Sequence, residues 1–385
     1  MDIKIKDGVV LKIEGYQNID EAVDDAFITL FTSFFSTYYQ NPVTCLQAFI
    51  ENQYPEFEKV IIDHLKRSQP IALYQDKIIN NLTPIWARFR NDGRLKDAQA
   101  FWNVILSSVE NWERIFSIRI HKGSIYYYWG GTSILDGELD KGYYLMHTAY
   151  QEDILSLNNP NPNTPAYMFV SMDFEEEKQY FGKILDVHAS FLDNFIQNYN
   201  KVRNNPISKE SFQKQFLAKH TNRDSVFLFS YTLARLFHTA RIYPHATNND
   251  FASLLELNVL FDLALVIDSS IQAKSNVGWQ FFNLALELSK KANLALSEQK
   301  LGEVKTSSQQ PNGFSTSLLL LLDKQFKCSD NSILGSFESD IAISYLVRNY
   351  GAHNVISQEL VWKRYTEILQ SLFNTLFLVT ESLYK

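Results

Sequence analysis

Apolar residues first alternate with polar ones along this chain and then settle into a helical period. Over residues 3–13 Ile3, Ile5, Val9, Val10, Leu11 and Ile13 are interleaved with charges around Asp7-Gly8, which predicts a short hairpin. From residue 19 to about 39 the spacing is four: Ala22, Ala26, Leu30 and Phe34 line one face of a helix. Helical patterns return over 173–199 and 212–242, then from Ile341 onward. A last one begins near Ser357, with Val361, Tyr365, Ile368, Leu372 and Leu376 on one face. Three polar stretches interrupt them. Residues 158–165 hold three prolines among asparagines and read as a linker. Residues 245–250 form a second break, and 297–313, rich in Ser and Gln, predict a long loop. The expected architecture is all-α: helical hairpins over 1–157, a linker over 158–165, a helical middle segment over 166–250 and a helical bundle over 251–385.

Two segments of the first part align on a shared glycine. One runs from Trp86 through Gly93-Arg94-Leu95-Lys96-Asp97-Ala98, the other from Gly130 through Gly137-Glu138-Leu139-Asp140-Lys141-Gly142 to Ala149. A small residue five positions after the turn glycine lets two helices approach closely. This spacing resembles the tetratricopeptide repeat. The first copy departs from the pattern, with Trp86 and Ile105 where small residues are usual, and the copies lie 44 residues apart rather than 34. Two ordinary helical hairpins fit the same residues, and a protein partner bound through the hairpins is what the resemblance implies.

Composition narrows the function classes. A chain of 385 residues is long enough for two or three domains, and 14 Gly with 10 Pro is too few for the many turns of a sheet protein. Cys45 and Cys328 offer neither a disulfide framework nor a metal-ligand spacing. Met1-Asp2-Ile3-Lys4 lacks a signal peptide's apolar stretch, and the longest aliphatic run, 318–322, is far too short to span a bilayer. A cytoplasmic protein without membrane contact is expected. The net charge of −7 argues against a general nucleic-acid coat protein but leaves room for a local basic site. No Gly-rich phosphate loop, serine elbow or zinc pattern is present, so no cofactor and no metal are expected.

The sharpest chemical feature is Arg348-Asn349-Tyr350-Gly351-Ala352-His353, between two apolar helices. An imidazole that titrates near neutrality can move a proton, and a permanently charged guanidinium can hold a phosphate. Spacing alone decides nothing, because Arg114 and His121 make a similar pair beside the hairpins. Context separates the two: Asn349 follows Arg348, Ala352 precedes His353, and the stretch opens the last long helix. It resembles the signature of the HEPN superfamily, all-helical domains that are often metal-independent ribonucleases. The resemblance covers about residues 251–385, and the polar insertion near 297–313 departs from it. It implies Arg348, His353 and Asn349 as the catalytic set, with Arg348 clamping phosphate, His353 as general acid and base, and Asn349 orienting the site. It also implies an RNA substrate, a homodimer that pairs two such motifs, and toxin or antiphage defence roles. The family's first helix corresponds to 257–272, where Leu257, Phe261, Ala264 and Asp268 fall at heptad spacing. That places a carboxylate on the apolar stripe, and Asp268 is the candidate partner of Arg348. Residues five apart on a regular helix point about 140° from each other. The pair therefore needs a loosened turn at Gly351 or completion across a dimer.

Other candidates read more simply. Residues 173–178 form an acidic helix face, His147 sits in a core or groove, and Arg235, His238 and Arg241 form a small basic face. Two functions remain open at this level: an endoribonuclease of HEPN type, and a non-catalytic helical scaffold that binds a protein partner.

Overall fold

The computed structural model describes residues 2–4, 10–12, 21–65, 75–160, 162–173, 180–203, 206–219, 222–242, 250–350 and 358–384. The alternating N-terminal residues form a ribbon in which β1 (Asp2–Lys4) pairs antiparallel with β2 (Val10–Lys12), Ile3 opposite Leu11. Apart from one isolated bridge between Lys327 and Ile333, every other regular element among the described residues is helical, and the fold is all-α. The chain divides into two compact units, Met1–Tyr167 and Met168–Lys385.

In the first unit α1 (Glu21–Gln40) is followed by α2 (Cys45–Ala48), a π turn (Phe49–Gln53), and α3 (Tyr54–Leu65). Two helical hairpins come next: α4 (Gln75–Asn91) with α5 (Leu95–Phe116), and α6 (Gly123–Leu135) with α7 (Leu139–Leu157). Both hairpins turn the same way at the residue level. Gly93 and Gly137 have φ of +72° and +86°, a region that costs glycine nothing. Arg94 N–H bonds Phe89 O, and Glu138 N–H bonds Ser133 O, each closing a Schellman turn over the end of the incoming helix. Beyond the second turn the helices nearly touch at Gly130 and Gly142. A Cβ on either glycine would lie 2.9 Å from the other's carbonyl oxygen. The first hairpin fills the equivalent space with aromatic rings. Trp86 is fully buried, stands 6.0 Å from Trp102, and donates from Nε1 to Thr132 Oγ1 at 3.0 Å. Tyr128 stacks on Trp102 at 5.7 Å. The short α8 (Pro165–Val170) carries the boundary between the units.

The second unit comprises α9 (Gly182–Asn200), α10 (Lys209–Phe212) with a π turn (Gln213–Leu217), α11 (Arg223–Ile242) and α12 (Asp250–Gln272). It continues through α13 (Phe281–Lys291), α14 (Glu298–Ser308), α15 (Gly313–Leu322), α16 (Ser336–Tyr350), α17 (Gln358–Lys363) and α18 (Tyr365–Leu383). One apolar core runs through all of it, from Met172 to Tyr384. Helices of the segment 166–250 share this core with those of 251–385. Phe195 of α9 stacks on Phe373 of α18 at 4.3 Å, and Tyr199 Oη donates to Glu381 at 2.6 Å.

The secondary structure departs from expectation at several places. The polar stretch 297–313 is mostly helix, not loop. Ser297 Oγ caps α14 by accepting from Lys300 N–H at 3.3 Å, and Leu301 and Val304 bury one turn against the core. Two apolar residues in eleven suffice because, apart from the buried Ser308, the rest of α14 is exposed or half-buried. The expected single C-terminal helix breaks at Arg364, whose guanidinium is tied to Asp323 and Glu367. Arg348 and Asn349 do not open a helix but sit in the last turn of α16. The helical pattern over 212–242 is split by the π turn and the turn at Ala218-Lys219, and among the described residues of 173–199 the helix spans Gly182 onward.

Candidate functional site

The heptad stripe of α12 and the last turn of α16 build the site together. Ala264 packs in the core and holds α12 in register. One helical turn to either side, Phe261 and Asp268 receive Arg348. Arg348 Nε donates to Asp268 Oδ2 at 2.8 Å, and its guanidinium carbon lies 5.7 Å from the Phe261 ring centroid. The partner expected from the sequence is therefore the one found. The Asp268 side chain is 13% exposed, and burial pushes its carboxyl pKa up, an effect opposed by the hydrogen bond and charge of Arg348. The Arg348 side chain is 31% exposed, and among the described residues Nε makes its only hydrogen bond. Among the described residues Nη1 and Nη2 meet no acceptor, which leaves their donors open.

Arg348 opens onto a cleft of about 460 Å³. Asn349 lines it too, its Nδ2 donating to Tyr345 O at 2.9 Å, which fixes the amide against its own helix. The lining also includes residues that sequence reasoning missed. Lys305 of α14 reaches the cleft with Nζ 5.8 Å from the Phe282 ring. Trp279, in the turn before α13, lines the same cleft and is 78% exposed. Lys305 was hidden by reading its segment as a loop.

His353 and Ala352 lie outside the described residues, as do residues 174–178 of the acidic run. The decoy pair separates: Arg114 Nη2 donates to Asn111 at 2.7 Å, while His121 Nε2 lies 2.7 Å from Asp153 Oδ1. The expected basic face of α11 is partly neutralised, because Arg235 pairs with Asp262 at 2.6 Å. His238 is half-buried against the ring of His188, and the side chain of Arg241 is outside the described residues. His147 is half-buried beside Tyr150. Buried against the rings of Phe237 and His238, His188 has its pKa pushed down to about 4, and among the described residues its Nδ1 has no hydrogen-bond partner. A second cleft of about 330 Å³, between α1 and α3, has no basic residue among those lining it.

Among the described residues no group of three or more His, Cys, Asp or Glu is placed to hold a metal ion, and no helix is long and apolar enough to cross a membrane. No family model matches the chain, and neither the curated proteins nor the solved structures contain a match to it.

Proposed function

We propose that this chain is a metal-independent endoribonuclease of HEPN type, with Arg348 as phosphate clamp, His353 as general acid and base, and Asn349 orienting the site. The observation that supports it most is the Arg348 guanidinium, held by Asp268 at 2.8 Å on the wall of an open cleft that also carries Lys305. In the reaction the RNA 2′-oxygen attacks the adjacent phosphorus and the bond to the 5′-oxygen breaks. The products end in a 2′,3′-cyclic phosphate and a 5′-hydroxyl. Imidazole accepts the 2′-hydroxyl proton, and imidazolium returns a proton to the departing 5′-oxygen. A fixed guanidinium stabilises the negative charge that gathers on the phosphate oxygens. Asp268 takes Nε and thereby sets the plane of the fork, so Nη1 and Nη2 meet the phosphate without reorganisation. A homodimer bringing two such stretches to one cleft divides the acid and base roles between two imidazoles. The proposed setting is the cytoplasm, in a toxin or antiphage defence role.

Cleavage of RNA by Arg348→Ala and Arg348→Lys beside the wild type tests the clamp. Ala should lower kcat by about a hundredfold or more, and Lys should recover only part of it, since an ammonium lacks the planar fork. Full cleavage by Arg348→Ala would remove Arg348 from the mechanism.

The paired Schellman turns and the Gly130–Gly142 contact favour a second role, for the first unit alone. It is a tetratricopeptide-like scaffold that takes a protein partner. If RNA cleavage is absent, that scaffold role becomes the chain's main function.

A further inference from the structure

We infer that the cleft beside Arg348 binds one unpaired nucleotide of single-stranded RNA, its base stacked on Trp279 and its phosphate met by Lys305 and Arg348. The inference rests on the endoribonuclease reading and names the form of its substrate.

Trp279 is 78% exposed, which leaves a large apolar ring in water at the edge of a cleft. A planar π face is the complement of such a ring, and every nucleobase offers one. The rest of the cleft fits what a base is attached to. Lys305 and Arg348 bring two positive charges, against which the described lining sets one carboxylate, Asp268, already engaged with Arg348. Lys305 stands over the Phe282 ring, so its ammonium lies beside the aromatic wall rather than away from it. The volume of about 460 Å³ lies in the range of small-ligand sites, roughly 300–1,000 Å³. A base inside a duplex is stacked on its neighbours and cannot reach the indole, so the substrate must present an unpaired nucleotide.

The test uses the full chain carrying His353→Ala, so that RNA stays intact, and a fluorescein-labelled mixed-sequence RNA oligonucleotide followed by anisotropy. The single strand should bind more tightly than the same strand annealed to its complement. Adding Trp279→Ala should weaken single-strand binding by roughly ten- to a hundredfold, and Trp279→Phe should restore most of it. Lys305→Ala should weaken binding and flatten its salt dependence by about one phosphate contact. Because Trp279 is exposed, its loss leaves the fold intact, which circular dichroism checks. Unchanged single-strand binding by Trp279→Ala, or a duplex bound as tightly as the single strand, overturns the inference. So does a Trp279→Ala variant that binds RNA normally but changes oligomeric state, which would assign the indole to a contact between copies. Cleavage by the chain with His353 intact separates this from the parent reading. If the wild type cuts RNA and Trp279→Ala cuts equally well, the subsite fails and the nuclease stands. If the wild type neither binds nor cuts, both fall.

Discussion

At the residue scale the site depends on one charge held in place by another. Asp268 is buried enough that its charge would be costly without the guanidinium of Arg348 beside it. Asp268→Asn keeps an acceptor for Nε but removes the charge that fixes the guanidinium. It should lower kcat by up to about a hundredfold with a smaller effect on KM, as misplacement of a transition-state group does. An unchanged kcat would show that Arg348 needs no such support. His188 gives a separate prediction about stability. The unfolded chain takes up this proton near pH 6.5, the folded chain only near pH 4. Stability is therefore whole above neutrality and falls as pH drops through that window, by up to about 3 kcal/mol for this residue. Urea unfolding of His188→Phe between pH 7 and 4.5 should show a shallower loss than the wild type; parallel curves would mean that His188 titrates normally. The Arg348–Asp268 pair was legible in the sequence because Asp268 sits on a heptad stripe with Leu257, Phe261 and Ala264, where a carboxylate demands a partner. Trp279 and Lys305 were not, since no periodicity links residues that come to one cleft only because α13 and α14 both pack against α16.

At the scale of elements, close approach is set by glycine and by caps. Gly142 faces Ile134 and the Gly130 carbonyl so tightly that a Cβ there forces α6 and α7 apart. Gly142→Ala should cost about 1–3 kcal/mol and lower the melting temperature of the chain. Gly302, which has nothing within 4 Å of its Cβ position, is the control, and Gly302→Ala should be neutral or slightly stabilising. Equal effects of the two would show that the hairpin contact is not tight. The two Schellman turns were legible because each needs a residue with positive φ, and Gly93 and Gly137 mark the spots. The helix α14 was not, because eight of its eleven residues are Glu, Gln, Lys, Thr or Ser, and only Ser297 as cap with Leu301 and Val304 behind it betrays the period. The break at Arg364 also escaped the pattern, since the apolar face continues from Val361 to Ile368 across it.

For the whole molecule, the sequence carried the class of fold and little of its partition. Long 3.6-residue periods and scarce Gly and Pro specify helices, but which helices share a core depends on contacts between residues far apart in sequence. Tyr199 reaching Glu381 is such a contact, and it binds the segment 166–250 to the C-terminal helices. The linker composition at 158–165 lies just before the division between the units at Tyr167 and Met168. The proposed function rests on what the second unit brings together at one cleft. The most direct test is RNA cleavage in excess EDTA by the purified chain beside His353→Ala, with the product ends identified. A metal-independent nuclease acting through His353 cuts RNA under these conditions, leaves 2′,3′-cyclic phosphate ends, and loses the activity with the imidazole. Cleavage abolished by EDTA, cleavage that persists in His353→Ala, or no cleavage of any RNA would contradict it.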